Sequence, residues 1–145
     1  MKKMQMIDIL KFISDEHKDS IRLLVCGDRY SKDRETIGKY LELFWPYTLI
    51  HGGCKGVDQL AEDITLNEIC CGDNKICDHI IRFEANWSEF GLAAGPLRNS
   101  RMIVEGKPDL VLAFHSKIDY SKGTKNMIMQ ANIHDIPILL IPLKK

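Results

Sequence analysis

The sequence predicts an α/β fold with a parallel five-stranded sheet, and three observations carry that reading. Five apolar runs of strand length alternate with segments of helical period. The first run, residues 21–26 (IRLLVC), is apolar almost throughout, as expected of a strand covered on both faces. Glycines, arginines and other unusual residues gather just after the strands, where ligands bind in such sheets. The alternation implies right-handed crossovers in a single layered domain.

The elements follow in order. Met6, Ile9, Leu10 and Ile13 mark one face of a leading helix within residues 1–20, and the domain proper spans 21–145. From Ser31 the period changes: Ile37, Tyr40, Leu41, Phe44 and Trp45 form a helical stripe that Pro46 stops. Residues 47–50 are a second strand. Val57, Leu60, Ala61 and Ile64 mark the next helix, and the polar stretch 71–78 is a surface loop. Residues 79–83 read as a third strand and 96–105 as a third helix, closed by Gly106 and Pro108. Strand 109–114, helix 124–133 and strand 136–141 complete the chain, with no internal repeat.

Composition narrows the function. The 145 residues are 45% hydrophobic and 28% charged, the balance of a globular domain. Twenty Lys plus Arg meet twenty Asp plus Glu, which excludes a bulk polycation gripping nucleic acid but permits a local basic cleft. The longest apolar run, 136–143, is interrupted by two prolines and is far shorter than a membrane span, so no membrane partner is expected. Asp8 and Lys11 break the apolar stretch that a signal peptide needs, so a cytoplasmic location is expected. Five cysteines fit a reducing compartment. Cys70, Cys71 and Cys77 cluster, but without a CxxC pair or a completing histidine they read as idle thiols, and no metal ligand set or cofactor is assigned.

Three stretches carry chemistry. Gly27-Asp28-Arg29 follows the first strand: the glycine permits a sharp turn and Arg29 offers a planar fork to phosphate or carboxylate, or else this is a plain turn with a solvated arginine. His51-Gly52-Gly53-Cys54-Lys55-Gly56-Val57-Asp58 follows the second strand. Its three glycines at a helix start suggest backbone amides open to an anion. Asp58 caps the helix or, less plainly, holds a sugar hydroxyl, and His51 is more readily a structural hydrogen-bonding residue than a base. In residues 86–102 (NWSEFGLAAGPLRNSRM), Trp87 and Phe90 lie in a loop, where they offer a stacking face for a base or pack inward. Gly95-Pro96 opens a helix with Arg98 in its first turn, where a cation opposed to the helix dipole suggests an anionic partner.

The order G-D-R, H-G-G-x-x-G-x-D, W-x-x-x-G-x-x-A-G-P-x-R-N-x-x-M, then D-L-V-L-A-F and G-T resembles the SLOG superfamily (SMF/DprA-LOG), within it the small YAcAr branch related to the YspA and YpsA proteins. It covers about residues 21–142. The resemblance implies a Rossmann-like three-layer sandwich with a mostly parallel five-stranded sheet in the order 3-2-1-4-5. It also implies that the loops bind a nucleotide or nucleotide-derived small molecule. Ligand-binding candidates are then Gly27, Asp28, Arg29, His51, Gly52, Gly53, Gly56, Asp58, Trp87, Gly95, Pro96, Arg98, Asn99, Met102, Gly123 and Thr124. Relatives often self-associate, so a homo-oligomer is a further implied partner, with the leading helix at that interface or packed on its own sheet.

The superfamily also holds LOG-like phosphoribohydrolases, which release a base from a nucleoside monophosphate. Their R-K-x-x-M motif matches at Arg98 and Met102, and P-G-G-x-G-T-x-x-E matches only at Gly123-Thr124. The glutamate falls on Met127, which cannot serve a cationic sugar as a carboxylate does. Asp28, Asp58 or Asp119 are the available substitutes, with Arg98 and Asp58 the provisional catalytic residues. The expected function is therefore binding or sensing of a nucleotide-type phosphate ligand. N-glycosidic hydrolysis is the alternative reading, and direct DNA binding is disfavoured by the absence of net charge or a basic stripe.

Overall fold

A computed structural model of the chain describes Asp8, Lys11 and residues 20–69, 79–117 and 121–144. The leading helix falls outside them save for Asp8 and Lys11, both helical. The polar loop 71–78, the three clustered cysteines and Asp119 also lie outside the described residues.

Strands β1 (Ile21–Gly27), β2 (Tyr47–His51), β3 (Ile80–Arg82), β4 (Leu110–His115) and β5 (Ile138–Pro142) form one sheet in the order β3-β2-β1-β4-β5. Every pairing is parallel, with Ile21 opposite Tyr47 and Cys26 opposite Ala113. The chain moves from β1 to one edge through β2 and β3, then returns to β4 on the other side of β1. That reversal separates the loops after β1 and β4 and opens a crevice at the strands' carboxyl ends.

The helices α1 (Arg34–Phe44), α2 (Val57–Ile64), α3 (Trp87–Phe90), α4 (Ala94–Val104) and α5 (Lys122–Ile133) cover both faces. Successive strand side chains point to opposite faces, so β1 feeds two cores. Leu23 and Val25 pack with Ile37, Leu41 and Phe44 of α1 and with Val57, Ala61 and Ile64 of α2. Leu24 and Cys26 pack with Met102 and Ile103 of α4 and with Met127 and Ala131 of α5. This is a three-layer Rossmann-like sandwich. No helix among the described residues is long and apolar enough to cross a membrane.

Local chemistry moves several boundaries from where hydropathy places them. Asp33 accepts the Thr36 N–H at 3.2 Å and starts α1 at Arg34, beyond the Ser31 at which the period changes. Trp87 and Phe90 lie on a short helix, not in a loop, because Asn86 accepts the Glu89 N–H at 3.2 Å. A 3-10 turn (Gly91–Ala93) then runs directly into α4, which begins at Ala94 with Pro96 in its first turn, where proline's missing N–H is not needed. Ser121 accepts the Thr124 N–H at 3.1 Å and starts α5 at Lys122, so Gly123 and Thr124 lie inside its first turn.

Candidate functional site

A cleft of about 980 Å³ lies at the carboxyl edge of the sheet where β1 and β4 diverge. It is at the upper end of the roughly 300–1,000 Å³ typical of small-molecule sites. Its floor is the end of β1. A Cβ on Gly27 would collide with the Phe114 carbonyl oxygen, so this glycine serves the close approach of two strands. The Asp28 N–H donates to that same carbonyl at 2.9 Å, and the Val57 N–H donates to the Asp28 carbonyl at 3.0 Å. Asp28 Oδ1 accepts the Tyr30 N–H at 2.8 Å, which sets the turn that exposes Arg29 and Tyr30 at the rim.

The glycine loop after β2 holds itself rather than an anion. Asp58 Oδ2 accepts the Gly52 N–H at 2.9 Å and the Cys54 N–H at 3.3 Å, and His51 Nδ1 accepts the Gly53 N–H at 3.0 Å. Three amides that the sequence offered to a phosphate are thereby taken by the chain's own side chains. Asp58 is not the helix cap expected of it: Gly56 occupies that position, and the carboxylate reaches back into the loop. Burial pushes the Asp58 carboxyl above the usual range, against the opposing pull of His51 and the two amides. His51 is buried, with Nδ1 on the Gly53 N–H and Nε2 3.1 Å from Glu62 Oε1, so both ring nitrogens are engaged within the chain. A Cβ on Gly56 would strike the Asp28 carbonyl, and its φ of 74° suits glycine alone.

From this loop the cleft receives Gly52, Cys54 and Asp58, whereas His51, Gly53 and Gly56 do not line it. Arg98 forms the facing wall: its Nη1 donates to the Gly52 carbonyl and to Cys54 Sγ, each at 3.1 Å. The other α4 candidates are also present. Asn99 is buried and donates to the Gly123 carbonyl at 3.3 Å and to Asn126 Oδ1 at 3.0 Å, stapling α4 to α5. Trp87 is 53% exposed, and its ring lies so close to α4 that a Cβ on Gly95 would stand 3.3 Å from it. Gly95, Pro96 and Met102 complete that wall.

The opposite wall is the start of α5. A Cβ on Gly123 would meet nothing within 4 Å, so the turn stands open. No acid lies in its first turn, which carries Lys122. Thr124 is 4% exposed, lines the cleft, and its hydroxyl makes no hydrogen bond among the described residues. Ser121 takes the Thr124 N–H; the start of the helix, with a neighbouring cation and the Thr124 hydroxyl, is still suited to an anion. Beneath them Met127 is fully buried yet borders the cleft.

Sequence reasoning passed over Tyr30, Cys26, Cys54 and the loop after β4, where Ser116 donates to Asp28 Oδ2 at 3.4 Å and Lys117 reaches the rim. The parallel topology itself was the signal for that loop, since it places β4's carboxyl end beside β1's. Among the described residues no group of three or more His, Cys, Asp or Glu side chains is placed to hold a metal. No family model, curated protein or solved structure matches this chain.

Proposed function

We propose that this is a SLOG-type Rossmannoid domain that binds a nucleotide or nucleotide-derived phosphate ligand in the cleft between β1 and β4. One observation carries the reading: the first turn of α5 opens on the cleft with an unobstructed Gly123, Lys122, and Thr124, a cleft-lining residue whose hydroxyl makes no hydrogen bond among the described residues. The phosphate sits there, with Arg29 and Lys117 adding charge at the rim, and the half-exposed Trp87 covers base or ribose from α4. The loop after β2 shapes the wall and does not cradle phosphate.

Binding without turnover is favoured over N-glycosidic hydrolysis. Asp28 and Asp58 are the carboxylates bordering the cleft among the described residues, and Asp58 is already engaged by two amides. Met127 leaves the α5 wall without a group to activate water or oppose a cationic sugar. The test is calorimetric titration with AMP, adenosine and inorganic phosphate, beside a chromatographic assay for free base. The expected result is AMP binding tighter than adenosine, with no base released. Equal affinity for AMP and adenosine removes the phosphate from the site, and brisk base release makes the protein a hydrolase.

A further inference from the structure

We propose that Asp58 and Arg98 together read the neighbouring hydroxyls of a ribose, so that the cleft takes ribonucleotides in preference to deoxyribonucleotides. The proposal rests on the nucleotide reading of the cleft and names the part of the ligand that its β2 side recognises. Asp58 is only 5% exposed, and its two oxygens have different fates. Oδ2 accepts the Gly52 and Cys54 N–H groups, whereas Oδ1 has no hydrogen-bond partner among the described residues. No described side-chain oxygen or nitrogen is both enclosed and unpartnered, so Oδ1 reaches open space, and the space that Asp58 borders is the cleft. A carboxylate anchored this deep by two amides presents one fixed acceptor to whatever enters.

Arg98 supplies the complementary half. Its Nε donates to Asn99 Oδ1 at 3.3 Å and its Nη1 to the Gly52 carbonyl and Cys54 Sγ, which leaves both N–H groups of Nη2 without a partner among the described residues. Those three bonds hold the guanidinium in place along the cleft wall. Its charge offsets part of the rise that burial imposes on the Asp58 carboxyl, yet the two side chains form no ion pair among the described residues. An acceptor and a donor thus stand near enough to act on each other, with a gap between them. Two adjacent hydroxyls suit that gap, one donating to Asp58 Oδ1 and the other accepting from Arg98 Nη2. An amine offers donors alone and leaves the guanidinium unmatched. A site built to bond a hydroxyl discriminates sharply against an analogue that lacks it, because the buried partner is then stranded.

The experiment titrates the full chain calorimetrically with AMP, 2′-deoxyAMP, 3′-deoxyAMP and IMP. Each deoxynucleotide should bind wild type at least about tenfold more weakly than AMP, the loss of one hydrogen bond to a charged group. IMP, in which a carbonyl replaces the adenine amine, should bind like AMP. Asp58→Asn keeps one oxygen for the Gly52 and Cys54 N–H groups and turns the other acceptor into a donor. In that variant the penalty for one deoxynucleotide should fall below about twofold while the penalty for the other persists. Wild type binding either deoxynucleotide as tightly as AMP would overturn the proposal. A loss confined to IMP would do the same by making the base amine the donor to Asp58. AMP failing to bind at all overturns the proposed function and this inference with it. Equal affinity for AMP and adenosine removes the phosphate alone, and the hydroxyl comparison is then read on adenosine and its two deoxy forms. Should the Asn variant misfold by circular dichroism, the wild-type series still decides.

Discussion

The loop after β2 and the first turn of α5 flank the same cleft, and both offer glycine at a helix start. In the loop, Asp58 and His51 occupy the amides of Gly52, Gly53 and Cys54, and Gly56 is required because the Asp28 backbone fills the space a side chain would need. In the turn, Gly123 has open space beside it and the Thr124 hydroxyl is uncommitted among the described residues. The lesson is that glycine density marks where backbone comes close to something, without saying whether that something is a ligand or the chain itself. What distinguishes the two is how many N–H groups the chain's own side chains take: those of Gly52, Gly53 and Cys54 in the loop, that of Thr124 alone in the turn among the described residues.

The comparison breaks most visibly through Gly56. Gly56→Ala should lower stability by about 3–5 kcal/mol, because the left-handed φ and a collision with immovable backbone act together. Denaturant unfolding measures it, and a change under about 1 kcal/mol would mean the loop shifts freely. Next is Asp58→Ala, which strands two amides and should lose about 1–3 kcal/mol by the same assay. The pH dependence has a definite sign. Burial raises the Asp58 carboxyl above its unfolded value, so the folded state holds the proton more tightly. Relative to Asp58→Asn, wild type should therefore gain stability as pH falls through the folded pKa, and the gain should be complete below the unfolded one. A difference that stays flat, or moves the other way, would show that the carboxyl is not penalised by its burial.

Much of this arrangement was legible in the sequence for reasons that differ by element. Parallel strands buried on both faces declare themselves as unbroken apolar runs, so β1, β2 and β4 are visible to within a residue or two. The cleft's location followed from topology. The boundaries of α3, α4 and α5 were less visible because single side chains set them: Asn86 turns the Trp87 stretch helical, and Ser121 pulls Gly123 into a helix. Nor can a one-dimensional reading assign Asp58, since a first-turn carboxylate caps its own helix or reaches backward according to a bend that depends on Gly56. Cys54 stood in the sequence only as one member of the glycine-rich stretch, because its partner Arg98 lies 44 positions away.

On the α5 side the effects are smaller and fall on ligand rather than fold. Thr124→Val keeps the shape of the side chain, so it should leave unfolding unchanged and weaken AMP by about 1 kcal/mol, roughly fivefold in Kd by calorimetry. Unaltered affinity would remove this turn from the phosphate site. The smallest effect is expected at Gly123→Ala. With nothing near its Cβ, stability should hold or rise by up to about 1 kcal/mol through helix propensity. A marked loss would mean that the turn is packed as tightly as the loop opposite.

Met127 bears on how this cleft can change in evolution. Its side chain is fully enclosed in the apolar layer with Leu24, Val111 and Ala113, although one side borders the cleft. A glutamate arriving there by mutation would be enclosed with it, keep its proton, and cost stability before it could aid any reaction. Acquiring hydrolysis at this position is thus a journey of several steps, beginning with a cation or an opening in the layer that makes a charge tolerable. A carboxylate on the wet rim, at Lys122 or Lys117, meets no such barrier but removes a charge from the proposed phosphate site. On the proposed function, the neighbourhood in sequence space therefore favours binding over cleavage.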